Sequence, residues 1–168
     1  MFETHGEVTR LQKLLDESYA AAGSHLQEIH SPRVRVGADE LITRMQGMQV
    51  FVVATTTSDG RPRTGPVDTF LFHGELRFGT AANAIRARHI ARNPAVSATH
   101  VEGEALVVTV HGTAELLDLE GSDRDFAGFL RGHYGDATFD EHLGDSPYYR
   151  IVADRIFAAD MSRHLQPG

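Results

Sequence analysis

Three turn dipeptides constrain this chain more than any other feature: Asp59-Gly60, His73-Gly74 and Glu102-Gly103 each stand between two runs of alternating apolar and polar residues. A short turn between two period-two runs is the mark of an antiparallel hairpin. The runs span Val50–Thr57, Arg61–Phe72, Glu75–Gly79, Ala95–Val101 and Ala105–Asp118, and a sixth, Tyr148–Met161, follows after a helical stretch. In the fifth run Leu106, Val108, Val110, Gly112, Ala114 and Leu116 form one face. Successive hairpins argue for a sheet closed on itself rather than for strand–helix–strand crossovers. The expectation is therefore a mainly β fold: a six-stranded antiparallel barrel with peripheral helices. No Gly-x-Gly-x-x-Gly follows any strand, so a Rossmann domain is not supported.

Helices are expected over Val8–Ile29, with Gly23-Ser24 as the point where it can break, over Ala38–Gln46 and over Asp123–Tyr134. Thr4 and Glu7 have the spacing of a capping box ahead of the first. Gly135–Pro147 reads as a loop with at most one helical turn, and Ser162–Gly168 as a frayed tail. The organisation is thus an N-terminal helical segment over 1–47, a barrel over 48–161 and a tail over 162–168. Pro62 and Pro66 inside the second run call for an edge, a bulge or a strand with one hydrogen-bonding side left exposed.

With 16 Lys+Arg against 23 Asp+Glu the net charge is −7, and the arginines are scattered, so a nucleic-acid surface is not expected. Without a single cysteine, disulfides, thiolate metal sites and cysteine nucleophiles are excluded. The polar start MFETHGEVTR shows no secretion signal and no apolar run is long enough for a membrane span, so a cytoplasmic location is expected. Ten histidines give no helical metal pair. His100 and His111 are the two that could meet across a hairpin, without a third ligand to complete a metal site.

The stretch Glu75–Pro94, ELRFGTAANAIRARHIARNP, carries the chemistry. A strand runs through a turn over 79–82 into a short helix capped by Asn83, with Ile85, Ala87, Ile90 and Ala91 inward and Asn93-Pro94 as its stop. Such a turn presents backbone N–H groups and a positive helix end, and Arg86 can reach back toward it. Two readings stand here: a phosphate seat, or a solvated basic face made of Arg86, Arg88 and Arg92.

Taken in order, Val52-Val53-Ala54-Thr55, Asp59-Gly60-Arg61-Pro62, Gly65-Pro66-Val67, Leu76-Arg77-Phe78-Gly79-Thr80, Arg86, Asn93-Pro94-Ala95-Val96 and Gly112-Thr113-Ala114-Glu115 resemble the pyridoxamine-phosphate-oxidase-like split β-barrel superfamily. The resemblance covers about Val50–Leu117 and implies a homodimer with a flavin-type cofactor at the subunit interface. It places the cofactor phosphate against Thr80, Ala81, Asn83, Arg86 and Arg88, and the ring along Arg63, Thr64, Gly65, Pro66 and Val67. It implies an oxidoreductase acting on a small molecule with flavin mononucleotide (FMN) as cofactor; the alternatives among members are a reductase using a deazaflavin coenzyme and a non-catalytic flavin or haem binder. Members that oxidise pyridoxamine phosphate carry Arg and Lys where this chain has Gly65 and Phe70, and Ser and Arg where it has Ala84 and Ile85. That reaction is therefore not expected. Cofactor-led hydride transfer requires no side-chain nucleophile, and none is assigned.

Overall fold

The alternation does produce six strands, and they close. In the computed structural model, which describes residues 3–164, they are β1 (Gln49–Thr56), β2 (Pro62–Phe72), β3 (Glu75–Gly79), β4 (Ala95–Glu102), β5 (Leu106–Leu116) and β6 (Tyr148–Ala159). The order around the cylinder is β1-β2-β3-β6-β5-β4, every pair antiparallel, with β4 returning to β1. Inward positions such as Phe51, Val53, Phe78, Val96, Val108 and Ile151 fill it. At the β2–β3 turn His73 and Gly74 both take positive φ, 55° and 76°, the geometry that matches the twist of a two-residue hairpin. His73 is the one described non-glycine residue there, and its ring sits 3.1 Å from both the Glu7 and the Asp125 carboxylates.

β2 is longer than its partner. β3 pairs only with Thr69–Phe72, whereas β1 pairs with the whole of Pro62–Thr69. One side of residues 62–68 therefore has no strand beside it, which is how two prolines are tolerated in a closed sheet.

Helices α1 (His5–Ala20), α2 (Ser24–Ile29) and α3 (Ala38–Arg44) precede the barrel. The capping box forms: the Glu7 N–H donates to Thr4 Oγ1, and the Thr4 N–H to Glu7 Oε2 at 2.6 Å. Leu11 and Leu15 of α1 join Leu41 and Ile42 of α3 in the barrel core. α1 is pinned to β6 as well: Tyr19 donates to the Ala158 carbonyl at 2.8 Å, and the Ile156 N–H donates to Ser18 Oγ at 2.9 Å. The single helix expected over Val8–Ile29 is two, because the chain leaves helical geometry by Gly23, whose backbone is extended. α2 buries no residue, so packing does not enforce continuity.

Between β5 and β6 lies an insertion with its own small core. α5 (Arg124–Tyr134) is the helix expected over Asp123–Tyr134; in the stretch expected as a loop, α6 (Asp136–Thr138) runs into a π-helical turn at Phe139–Leu143. Phe126, Leu130, Phe139 and Tyr148 pack there on Phe70 and Phe72 of β2. Further departures are local. Leu116 is 65% exposed rather than inward, since β5 ends there and Leu117 turns in instead. Met161–His164 form a 3-10 turn anchored by the Arg163–Glu40 and Arg163–Asp160 ion pairs, and only 165–168 of the expected tail lie outside the described residues. His100 and His111 do not face each other: His100 lies opposite Val108, His111 opposite Ser97. No described helix is long and apolar enough to cross a membrane. No described group of three or more metal-ligating side chains is placed to hold an ion.

Candidate functional site

β3 ends at Gly79 because Thr80 leaves the ladder, its N–H donating to the Pro147 carbonyl at 3.1 Å. That bond takes one backbone N–H away from the anion seat expected in the turn. α4 (Ile85–Arg92) then starts from Ala84, whose backbone is extended and which makes no side-chain cap. Asn83 is therefore not the cap, and it lies exposed. Ile85 is 57% exposed and Ala91 is exposed too; the helix packs through Ile90 and His89, with Ala87 half-buried. His89 Nδ1 lies 3.0 Å from Thr55 Oγ1 of β1, which docks the helix on the barrel wall.

This docking aims Arg86 back across the unpaired side of β2. Its Nη2 donates to the Pro66 carbonyl and its Nη1 to Thr80 Oγ1, both at 3.4 Å. Backbone N–H and C=O of one strand residue point the same way, so the N–H that Pro66 lacks would also have faced this side. A Cβ on Gly65 would come within 2.6 Å of Nη2, so the guanidinium occupies the space a side chain at 65 would need. Arg86 is half-buried, and burial pulls its pKa down. It makes no ion pair with any described carboxylate. Two long bonds to neutral oxygens leave most of its charge uncompensated.

The guanidinium borders a cleft of about 390 Å³. Pro66, Val67, Asp68 and Phe70 of β2 form one wall; Gly79, Thr80, Ala81 and Arg86 form the second. Of the residues expected at a site, Pro66, Val67, Thr80, Ala81 and Arg86 are thus brought together, and Gly65 lies under Arg86. Arg63, Thr64, Asn83 and Arg88 are exposed and do not line this cleft. A third wall comes from the insertion: Tyr134, His142, Leu143, Ser146 and Tyr148. Sequence reasoning missed it, because nothing in the spacing ties residues 134–148 to β2; only the packing of Phe70 against α5 does. A smaller cavity of about 200 Å³ lies in the seam between α1 and the barrel, with Leu11, Leu71 and Ile151 in its floor and no cation that lacks a partner carboxylate at its rim.

The outer face of the barrel beside the cleft is apolar. Val52 lies opposite Pro66 and Val50 opposite Asp68, and both valines are nearly half exposed, at 46% and 48%. Across β1 the same register brings in Thr99, and Val101 of β4 adds a third valine, 59% exposed, paired with the half-buried Val107.

Comparison with known proteins agrees with this architecture. Residues 38–159 match the family model described as pyridoxamine 5'-phosphate oxidase. No curated protein matches the sequence. Among solved structures, the conserved hypothetical protein Rv2991 from Mycobacterium tuberculosis superposes with a TM-score of 0.69 at 21% identity, over 83% of this chain and 94% of that one. An F420 reductase aligns with a TM-score of 0.52 at 19% identity, over 68% and 93%. The FAD binding protein from Mycobacterium smegmatis gives 0.51 at 16%, over 74% and 95%. At such identities these likenesses establish the fold.

Proposed function

The chain belongs to the pyridoxamine 5'-phosphate oxidase family, and on that premise we propose that it is a flavin-dependent oxidoreductase that holds FMN in the Arg86 cleft and exchanges a hydride with a small molecule. The observation that carries the reading is Arg86 itself. A cation that has lost part of its water and gained no counter-charge is a costly feature unless an anion completes it. A phosphate monoester brings up to two negative charges and three strong acceptor oxygens, and Arg supplies donors in a matching fork. Gly65 fits the same picture, because any larger residue there would push the guanidinium out of the cleft.

In this reading Arg86 and Thr80 hold the phosphate end, while the backbone of Gly65–Val67 lines the path of the flavin. The flavin supplies the hydride chemistry, and the protein supplies position and charge. Gly65, Phe70, Ala84 and Ile85 stand where oxidases of pyridoxamine phosphate carry polar or charged residues, so a different substrate is served. A deazaflavin carrier is the second reading, favoured by Arg88: exposed and without an ion pair among the described residues, it suits a longer anionic tail. The valine face made of Val50, Val52 and Val101 borders the cleft, and its exposure supports a homodimer in which the partner completes the site.

The visible absorption spectrum of the purified protein tests the cofactor. FMN is expected to copurify or to bind on titration, and riboflavin, with the same ring and no phosphate, to bind more weakly. Equal affinity for the two would sink the phosphate seat, and a deazaflavin band would install the second reading. Sedimentation should give a particle of twice the 18.4 kDa chain mass; a monomer at micromolar concentration removes the dimer.

A further inference from the structure

The cleft is chemically two-ended, and the flavin reading uses only one end. At the first end stands the uncompensated Arg86. The other is lined by Asp68, Phe70, Tyr134, His142, Leu143, Ser146 and Tyr148, with no arginine or lysine among them. The Tyr134 hydroxyl is committed, donating to Asp68 Oδ2 at 3.5 Å. The Tyr148 hydroxyl is not. Tyr148 is only 5% exposed, its ring lies edge-on to Phe126 at 6.0 Å, and a Cβ on Gly79 would come within 2.6 Å of its Cε1. Packing on both sides fixes the ring. Yet its hydroxyl has no hydrogen-bond partner among the described residues, and it is not sealed in protein, because the residue lines the cleft. A hydroxyl carried on a fixed ring, open to the cleft and bound to no described protein group, is free to donate to a ligand there.

We propose that the insertion between β5 and β6 makes this end of the cleft the substrate pocket, where the Tyr148 hydroxyl donates to the carbonyl oxygen of a neutral small molecule and the Asp68 carboxylate repels anionic ones. The proposal rests on the reading of the Arg86 end as the cofactor phosphate seat, and it adds the class of molecule the other end admits. Burial, with Tyr134 and Asp68 nearby, pushes the Tyr148 phenol up to about 12, so it is a donor throughout the neutral range. Phe70 and Leu143 supply apolar contact for a ring or short chain. A second anion is disfavoured there, because the Asp68 carboxylate, although exposed, faces the same cleft and like charges repel.

Acetophenone and 4-acetylbenzoate share the ketone and differ by one carboxylate, which makes them suitable probes. Both are titrated by NMR at pH 8, where an ordinary imidazole is neutral. Two samples are used: protein saturated with FMN, and the Arg86→Ala variant, which has lost the anion seat. Acetophenone is expected to bind in both, at least tenfold more tightly than 4-acetylbenzoate. Tyr148→Phe, which keeps the ring and the packing, should weaken acetophenone about tenfold, the size of one hydrogen bond, and leave FMN affinity within twofold. Asp68→Asn should close most of the gap between the two probes. The proposal is overturned if acetophenone does not bind, if Tyr148→Phe leaves it unchanged, or if the variant weakens FMN as much as the ketone. If FMN fails to bind but the Arg86→Ala protein still discriminates between the probes, the pocket stands and the cofactor reading falls.

Discussion

Arg77 and Arg86 lie on either side of the end of β3, and the two regions treat a buried guanidinium in opposite ways. Arg77 is 5% exposed, yet its charge is answered: Nη2 lies 3.3 Å from Glu75 and Nη1 3.6 Å from Asp123, with the Phe72 and Phe126 rings at 4.9 and 5.1 Å. Asp123 in turn accepts from the Asp118 N–H and from Ser122, so the root of the insertion is tied to the barrel. Arg86 is less buried and pairs with no acid among the described residues. The difference teaches that burial depth alone does not mark a functional arginine; what marks it is the missing counter-charge.

The largest expected effect attacks the Arg77 side. Arg77→Met leaves the buried Asp123 carboxylate with only the partly exposed Arg150, 3.7 Å away, as its cation, so the expected loss lies at the lower end of the about 3–5 kcal/mol that breaking a buried pair costs. Urea unfolding should show a loss of this order, while Arg77→Met with Asp123→Leu should recover most of it. A loss near zero would place Arg77 in the same class as Arg86 and end the comparison. On the other side, Arg86→Ala should cost little stability, because the residue compensates no buried carboxylate. It should weaken FMN roughly 10- to 150-fold, the worth of a charge-assisted bond of about 1.5–3 kcal/mol. Riboflavin affinity should hardly change, and calorimetric titration of both ligands reads the contrast directly.

Gly65→Val sharpens the same side more gently. Its new atoms displace the end of a flexible side chain rather than backbone, so the fold should survive and FMN should weaken by roughly three- to tenfold, about 0.7–1.4 kcal/mol. In an Arg86→Ala background the substitution should add little, since coupled residues are not additive. The smallest effect is invisible at neutral pH. Tyr19, in the α1–β6 seam, and Tyr148, in the cleft, are both pushed by burial from 10.0 to about 12. A folded pKa above the unfolded one means that their contribution to stability is complete below pH 10 and is lost as pH rises toward 12. Burial raises Tyr134 and Tyr149 as well, so alkaline titration of tyrosinate absorbance should show four late phenols, with Tyr19 and Tyr148 the last. Of those last two, only Tyr148 should move when a ligand fills the cleft.

Much of the barrel was legible because closed sheets write themselves into the chain locally. Asp59-Gly60 and His73-Gly74 announce hairpins, but in β1 Phe51 and Val53 face inward and Val50 and Val52 outward, and because all four are apolar the sequence does not say which face is inside. Pro62 and Pro66 even disclosed the unpaired side of β2 on which Arg86 lies. Helix details were less legible. Ile85 and Ala91 fit the helical period but face solvent, because α4 is held by His89 against Thr55, a contact between residues far apart in sequence. The insertion wall was not legible at all. Whether Tyr148 faces a cleft or a core depends on where α5 docks, and that is decided by Phe70 and Phe72 on a strand more than fifty residues earlier.

β6 pairs with β3 on one side and β5 on the other. It is also the last strand in chain order, so on the ribosome the preceding five can form only an open ribbon, β3-β2-β1-β4-β5, with two bare edges. Those edges are the pairing templates that a nascent chain offers to its neighbours. Emergence of residues 148–159 removes both at once and gives α1 the Ser18 and Tyr19 contacts that it lacked. Commitment to the native state therefore waits for the end of the barrel's synthesis, and such long-range closure is intrinsically slow. A stalled or truncated chain ending before Tyr148 would be a sticky sheet rather than a smaller barrel.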